Sequence, residues 1–105
     1  MDNSMKMRAK MQGDVAEVKV LIKHIMETGL RKDKETGKLI PAHFINQVVA
    51  TCNDKTVLDM QWGVAISQNP FFSFKVKDTK PGDKVTVSAV DNLGTKFYGE
   101  IAVAE

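Results

Sequence analysis

Apolar residues recur at every second position through most of this sequence, and this period constrains the fold more than any other feature. Residues 5–11 alternate strictly between apolar and basic side chains. The same alternation of apolar and polar positions returns at residues 72–76, 85–89 and 97–103. Because neighbouring residues on a strand face opposite sides, this pattern predicts half-buried β-strands and disfavours amphipathic helices.

Turn-forming residues divide the chain into about seven strands. The strongest turn signals are Gly13-Asp14, Asn53-Asp54, Pro81-Gly82 and Asp91-Asn92, and the signals recur about every 8–12 residues. This spacing predicts an all-β, antiparallel β-sandwich, with a small barrel as the competing architecture. A chain of 105 residues without repeats or linkers predicts a single domain over residues 1–105.

Two segments depart from the simple strand pattern. Residues 24–41 contain Gly29, Gly37 and a charged run at 31–35, and no apolar face continues through them. This composition predicts an excursion or long hairpin with a solvated tip. Trp62 shares a phase with two neighbouring apolar residues, so it is a candidate to fill the centre of the core.

Charge and hydropathy exclude several classes of protein. Fifteen basic and thirteen acidic residues give a net charge of +2, which argues against a nucleic-acid binder. The longest apolar run, residues 101–104, is far shorter than the roughly 18 residues of a membrane-spanning helix. No secretory h-region is found either, so these residues alone predict a cytoplasmic protein without a membrane partner.

A single cysteine, Cys52, limits the possible sulfur chemistry. One thiol cannot form a disulfide within the chain or a zinc site with two thiolates. Cys52 shares the inward phase of Val48 and Ala50, which predicts an inert, buried thiol, because a reactive thiolate needs exposure and a cationic neighbour. A hydrolase pairing Cys52 with His24 or His43 is the weaker alternative, and a disulfide to another chain remains open.

His24, Met26 and His43 could in principle bind a metal. Imidazole and thioether groups are suitable copper ligands, but the spacing matches no closed metal site. Packing and hydrogen bonding are therefore the predicted roles, with no metal and no cofactor. Phe71 is also unusual, because adjacent Phe72 occupies the core phase and Phe71 should then face outward or lie beneath the connector at residues 63–70.

Several segments together resemble one family, SoxZ, the small subunit of the thiosulfate-oxidation carrier complex. The resemblance covers essentially the whole chain, and its most specific block begins at His24. Ile25 and Val64 stand where members of this family often carry proline, which concerns only loop shape. The resembling segments are residues 8–10, 13–14, 24–33, 37–45, 61–63, 66–74, 81–87 and 90–92.

The resemblance implies a fold, a role and a location. SoxZ proteins are immunoglobulin-like sandwiches without enzymatic activity, and they form a heterodimer with SoxY. The C-terminal segment of SoxY carries the sulfur substrate on a cysteine. It presents this substrate to periplasmic Sox enzymes, including a thiosulfate-loading c-type cytochrome and a sulfate-releasing hydrolase. SoxZ is thought to be exported in complex with SoxY, so the resemblance implies a periplasmic location and replaces the cytoplasmic expectation.

The segments at residues 24–44 and 63–74 are the predicted partner-binding regions, because they are long, irregular and rich in aromatic and imidazole groups. Two alternatives remain: a generic β-sandwich interaction module with another partner, and a small metal-binding protein. Neither nucleic acid nor membrane is expected as a partner. The predicted partner-binding residues are His24, Met26, Arg31, His43, Phe44, Trp62, Asn69 and Phe71.

Overall fold

A computed structural model describes residues 5–105 and contains the seven strands that the sequence predicts. No helix in this part of the chain is long and apolar enough to cross a membrane. The predicted domain began at residue 1, so its first four residues lie outside the described part. The strands are β1 (Met5–Gln12), β2 (Val15–Ile22), β3 (Ile45–Cys52), β4 (Lys55–Gln61), β5 (Phe71–Val76), β6 (Lys84–Asp91) and β7 (Lys96–Ala102).

The strands form two antiparallel sheets, with the orders β1-β2-β5 and β4-β3-β6-β7. An immunoglobulin-type sandwich places its first, second and fifth strands in one sheet and its third, sixth and seventh in the other. The present order follows that arrangement, and β4 extends the second sheet beside β3. The prediction of an all-β antiparallel sandwich is therefore confirmed.

A single apolar core lies between the two sheets and explains the period of two. On β2 and β6, alternate side chains are buried while their neighbours face solvent. Full burial of a Val or Ile side chain contributes about 1.5–3 kcal/mol, so this cluster is the main source of stability. The largest fully buried side chains are Ile22, Ile45, Val18, Val20, Val48, Val85 and Val87.

The end of the chain joins the first sheet. Ala104 donates its backbone N–H to the Ala9 carbonyl at 2.9 Å, and the Met11 N–H donates to the Ala104 carbonyl at 2.9 Å. These bonds form an isolated parallel bridge between β1 and the segment after β7. The two sheets touch along this side without forming the continuous ladder that a barrel requires.

Residues 23–44, here called the arm, connect β2 to β3 as an irregular hairpin. Glu27 and His43 exchange backbone hydrogen bonds at 2.7 and 3.0 Å, and the Ile40 N–H donates to the Arg31 carbonyl at 2.8 Å. Turns occupy residues 34–36 at the exposed tip. The predicted long hairpin with a solvated charged tip is therefore confirmed.

Trp62 does not occupy the centre of the core, contrary to its candidate role. It follows the last residue of β4 and is only half-buried, with its ring edge-on to Phe72 at a centroid distance of 5.6 Å. Small β-branched residues fill the middle of the sandwich instead. A large indole fits better at the end of the sandwich, where one side of the ring remains open to solvent.

Candidate functional site

Two histidines and one aspartate meet where the arm joins the second sheet. The Nε2 atoms of His24 and His43 lie 3.2 and 2.8 Å from the same oxygen, Oδ2 of Asp91. The two imidazole rings contact each other edge to face, with centroids 4.5 Å apart. His24 and Asp91 are buried, while the His43 side chain is 31% exposed. We call these three residues the His-Asp cluster.

The backbone fixes which nitrogen of His24 carries its proton. The Met26 N–H donates to Nδ1 of His24 at 3.0 Å, so Nδ1 must be the acceptor in the ring. Neutral His24 then carries its proton on Nε2 and donates it to Asp91. Met26 has a positive φ of 50°, an uncommon conformation for a residue other than glycine.

Asp91 is satisfied at both carboxylate oxygens. Oδ1 accepts the backbone N–H groups of Leu93 and Thr95 at 3.0 and 2.8 Å, while Oδ2 accepts both histidines. Burial by itself raises the pKa of Asp91, but the hydrogen bonds from His43, Thr95, His24 and Leu93 outweigh burial and hold the pKa below its usual value. Asp91 is therefore a stable anion beneath the arm.

Further contacts attach the cluster to neighbouring loops. The His24 N–H donates to the Asn69 side-chain oxygen at 3.1 Å, and the Asn69 N–H donates to the His24 carbonyl at 2.9 Å. Phe44 and Asn92 are joined in a similar way by two bonds of 2.9 Å. The arm, the loop before β5 and the turn after β6 are thus held together in one place.

The structure brings His24, Met26, His43 and Asn69 together, and Phe44 joins the same region through its hydrogen bonds with Asn92. Phe44 is half-buried and packs against the core. Arg31 lies farther out on the arm, where it forms an ion pair with Glu27 that raises the pKa of the guanidinium and lowers that of the carboxylate. Phe71 lies on β5 and is 62% exposed, so the outward position is confirmed.

Burial separates the predicted partner-binding residues into those that support the surface and those that are accessible to a partner. His24 and Met26 are 7% and 5% exposed, so they support the surface from beneath. His43, Phe44 and Trp62 are accessible in part. Contact of these residues with a partner stays a prediction.

Cys52 is a free, half-buried thiol at the far end of β3 from the cluster. Burial raises the pKa of this thiol, the negative charge of Asp83 raises it further, and a hydrogen bond with Thr79 offsets part of the increase. Eight residues of extended strand place Cys52 about 23 Å from Ile45, which contacts the cluster through Met26. Cys52 and the histidines therefore cannot form a catalytic pair.

The raised pKa predicts slow reaction of Cys52 with a thiol reagent. At neutral pH the native thiol should react at least roughly tenfold more slowly than the same thiol in denatured chain, because the thiolate is the nucleophile. Absorbance-detected labelling, with and without denaturant, measures both rates. Equal rates in the two samples would contradict the description of Cys52 as protected and unreactive.

The His-Asp cluster has the donor types of a metal site, but its hydrogen bonds favour another role. The possible ligand atoms of its three residues lie within 4.8 Å of one another, close enough for zinc or a similar ion. A metal on Nε2 of His24 would displace that proton to Nδ1, where it would oppose the Met26 N–H. The arrangement therefore favours a structural role, in which hydrogen bonds hold the arm to the second sheet, over metal coordination.

Comparison with known families shows to which family the chain belongs. The family model described as sulphur oxidation protein SoxZ matches residues 5–102, nearly all of the described sandwich. The chain belongs to the SoxZ family. None of the curated proteins compared with it matches significantly. The SoxZ match covers the arm, the His-Asp cluster and both sheets, so nearly all of the structure described above belongs to this family of sulfur-oxidation proteins.

Asp91 is the residue of this SoxZ-family site that the sequence did not reveal. It was expected only as the first residue of a hairpin turn, and its bonds to Leu93 and Thr95 show that it also has that role. Its histidine partners lie 48 and 67 positions earlier in the chain. No local spacing rule connects residues so far apart.

Proposed function

We propose that this SoxZ-family chain is the non-catalytic subunit of a sulfur-carrier complex. It pairs with a SoxY-like chain, whose C-terminal cysteine carries the sulfur intermediate to the enzymes of thiosulfate oxidation. The match to the SoxZ family over residues 5–102 is the observation that supports this proposal. The proposed location is the periplasm, which the chain would reach together with its partner.

A rigid sandwich is suited to such a role. A carrier needs a mobile thiol for chemistry and a fixed surface for docking, and placing them on separate chains keeps the ordering cost of each encounter low. The His-Asp cluster supports this division because it holds the arm to the sheet with buried hydrogen bonds. The arm can then present its exposed side chains in a defined position.

Two features support a non-catalytic role. The buried histidine of the cluster uses both ring nitrogens in internal hydrogen bonds, so it has no free group for acid–base catalysis. The pKa of Cys52 is raised, which keeps this thiol protonated and limits exchange with a sulfur-loaded partner. Both features leave the sulfur chemistry to the partner's cysteine.

The arm supplies exposed apolar groups for a partner. Leu30 and Leu39 are 81% and 58% exposed, although leucine is usually buried. They lie on opposite strands of the arm hairpin. Their exposure supports the arm as part of the surface that meets the SoxY-like chain.

Coexpression with a SoxY-like chain tests this proposal. We expect a 1:1 complex that persists at micromolar concentration, measured by size-exclusion chromatography with light scattering. The double variant Leu30→Ser/Leu39→Ser should weaken the complex about tenfold or more, because a combined loss of about 1.4 kcal/mol from two apolar contacts is a tenfold change in affinity.

Leu93→Ser is the matched control for the arm variant. Leu93 is 65% exposed but lies in the turn after β6, outside the arm. Its replacement should leave the complex unchanged. A wild-type chain that stays monomeric beside the SoxY-like chain would contradict the proposal, and equal weakening by both variants would contradict the role of the arm.

A further inference from the structure

The outer face of the three-stranded sheet concentrates positive charge. In the antiparallel register, Lys6 lies beside Leu21 and Phe71 in one row across the strands. The next two rows are Arg8-Lys19-Ser73 and Lys10-Glu17-Lys75. Five of these nine outward positions are basic and one is acidic. We call these nine positions the basic face.

This concentration is a property of the face and not of the whole chain. The rest of the sequence contains ten basic and twelve acidic residues, so its net charge is −2, while the basic face carries +4. Glu17 is its acidic member, with an Oε1 that lies 3.6 Å from Nζ of Lys19. The net positive charge of the chain is thus concentrated on one side of the sandwich.

Part of this arrangement opposes folding. Arg8 and Lys19 are directly opposite each other on neighbouring strands, and both are exposed. Like charges in such a pair destabilise a sheet. A feature that is unfavourable for the fold and exposed to solvent suggests selection for an interaction with another molecule.

An apolar anchor lies within the same face. Phe71 and Leu21 are cross-strand partners, and Phe71 is 62% exposed. Beside them is a shallow groove of about 240 Å³, lined by Lys6, Met7, Arg8, Lys19, Leu21 and Phe71. An aromatic group surrounded by cations is suited to a protein surface with carboxylates around an apolar side chain.

We propose that the basic face is the docking site for an acidic surface on the enzymes that act on the carried sulfur. This inference rests on the proposed function, because it assigns a face of the carrier subunit to those enzymes. A face that is mainly charged suits short encounters, since complementary charge accelerates association more than it prolongs the complex. Permanent partners use larger and more apolar surfaces.

A protein occupant fits better than a membrane or a nucleic acid. One Leu-Phe pair offers too little apolar surface for insertion into a bilayer. The net charge of the whole chain is only +2, which is small for a protein that binds anionic lipids or phosphate backbones. The spacing of cations around a single apolar anchor is suited to a folded acidic surface.

Charge reversal on the carrier complex tests the proposal. The 1:1 complex is immobilised, and the thiosulfate-loading cytochrome and the sulfate-releasing hydrolase are each passed over it at 20–200 mM NaCl. We expect Lys6→Glu/Arg8→Glu to lower the association rate constant of at least one enzyme roughly tenfold or more. The wild-type rate should also fall with rising salt.

Matched variants separate docking from folding. Arg8→Glu removes the repulsion with Lys19, so its melting temperature should equal or exceed that of the wild type while docking weakens. Lys55→Glu/Lys96→Glu makes the same change of charge on the four-stranded sheet, away from the basic face and from the arm, and should alter association less than twofold. Phe71→Ser should mainly accelerate dissociation.

Each contrary result overturns the inference in an identifiable way. An association rate that does not change with salt, or that the Lys55/Lys96 variant lowers equally, contradicts docking at the basic face while the proposed function stands. Binding to phosphatidylglycerol vesicles that is lost in Lys6→Glu/Arg8→Glu, with no effect on the enzymes, assigns the face to a membrane instead. Failure of the 1:1 complex to form contradicts both proposals.

Discussion

Asp91→Ala is expected to lower the free energy of unfolding by about 3–5 kcal/mol, because it removes the acceptor from a buried hydrogen-bond cluster. In the variant, the Nε2–H of His24 would be buried without a partner. The backbone N–H groups of Leu93 and Thr95 would lose their acceptor as well. Urea denaturation monitored by tryptophan fluorescence measures the loss.

Asp91→Asn tests the direction of these hydrogen bonds. The amide has nearly the shape of the carboxylate, and its oxygen can still accept the bonds of the turn. Its NH₂ group, however, would face the Nε2–H of His24, so we expect a loss of about 1–3 kcal/mol. Asp14→Asn, in an exposed turn, should change stability by less than about 0.5 kcal/mol. An Asp91→Asn variant as stable as the wild type would contradict the donor assignment.

The same carboxylate makes stability depend on acid pH. The pKa of Asp91 is lower in the folded chain than its unfolded value of about 3.9. Its contribution is therefore complete above that unfolded pKa and is lost as the pH falls through the lower, folded value. The difference in stability between wild type and Asp91→Asn should narrow in that acid range.

Ile45→Ala is expected to destabilise the fold by about 2–5 kcal/mol, because it opens a cavity at a fully buried position. Ile45 begins β3, an interior strand that pairs with both β4 and β6. Its backbone N–H also contacts Sδ of Met26 at 3.4 Å, so the side chain lies where the core meets the arm. Little freedom remains there for neighbours to fill the space.

A graded series of substitutions distinguishes the loss of core packing at Ile45 from the effect of shortening any apolar side chain. Ile45→Val removes one methylene and should cost about 0.5–1.5 kcal/mol. Val57→Ala, on the exposed side of β4, should change the free energy of unfolding by less than about 0.5 kcal/mol. If Ile45→Ala and Val57→Ala had equal effects, the assignment of the core would be wrong.

The sheet architecture could be predicted because its physical signal is local. The alternation at residues 5–11 and the turn at Pro81-Gly82 each report the conformation of their own neighbourhood. The same grounds exclude Phe71 from the core, because Phe72 beside it takes the inward phase, and of its two expected placements the structure shows the outward one. Period and turn chemistry were therefore sufficient for seven strands and their faces.

The His-Asp cluster could not be predicted because its members meet only through tertiary structure. Asp91 had a sufficient local explanation as a turn residue, and nothing in its neighbourhood indicated two histidine partners. The basic face was hidden for a related reason. Its cations come from three strands, and only the register places Arg8 opposite Lys19.

The central claim is that the reactive sulfur chemistry belongs to a partner chain, while this chain provides the rigid subunit. Intact mass spectrometry of the coexpressed 1:1 complex, after incubation with thiosulfate and the loading cytochrome, tests it most directly. We expect a sulfur adduct on the SoxY-like chain and an unchanged mass for this chain, whose Cys52 remains a free thiol. An adduct on Cys52 would contradict it.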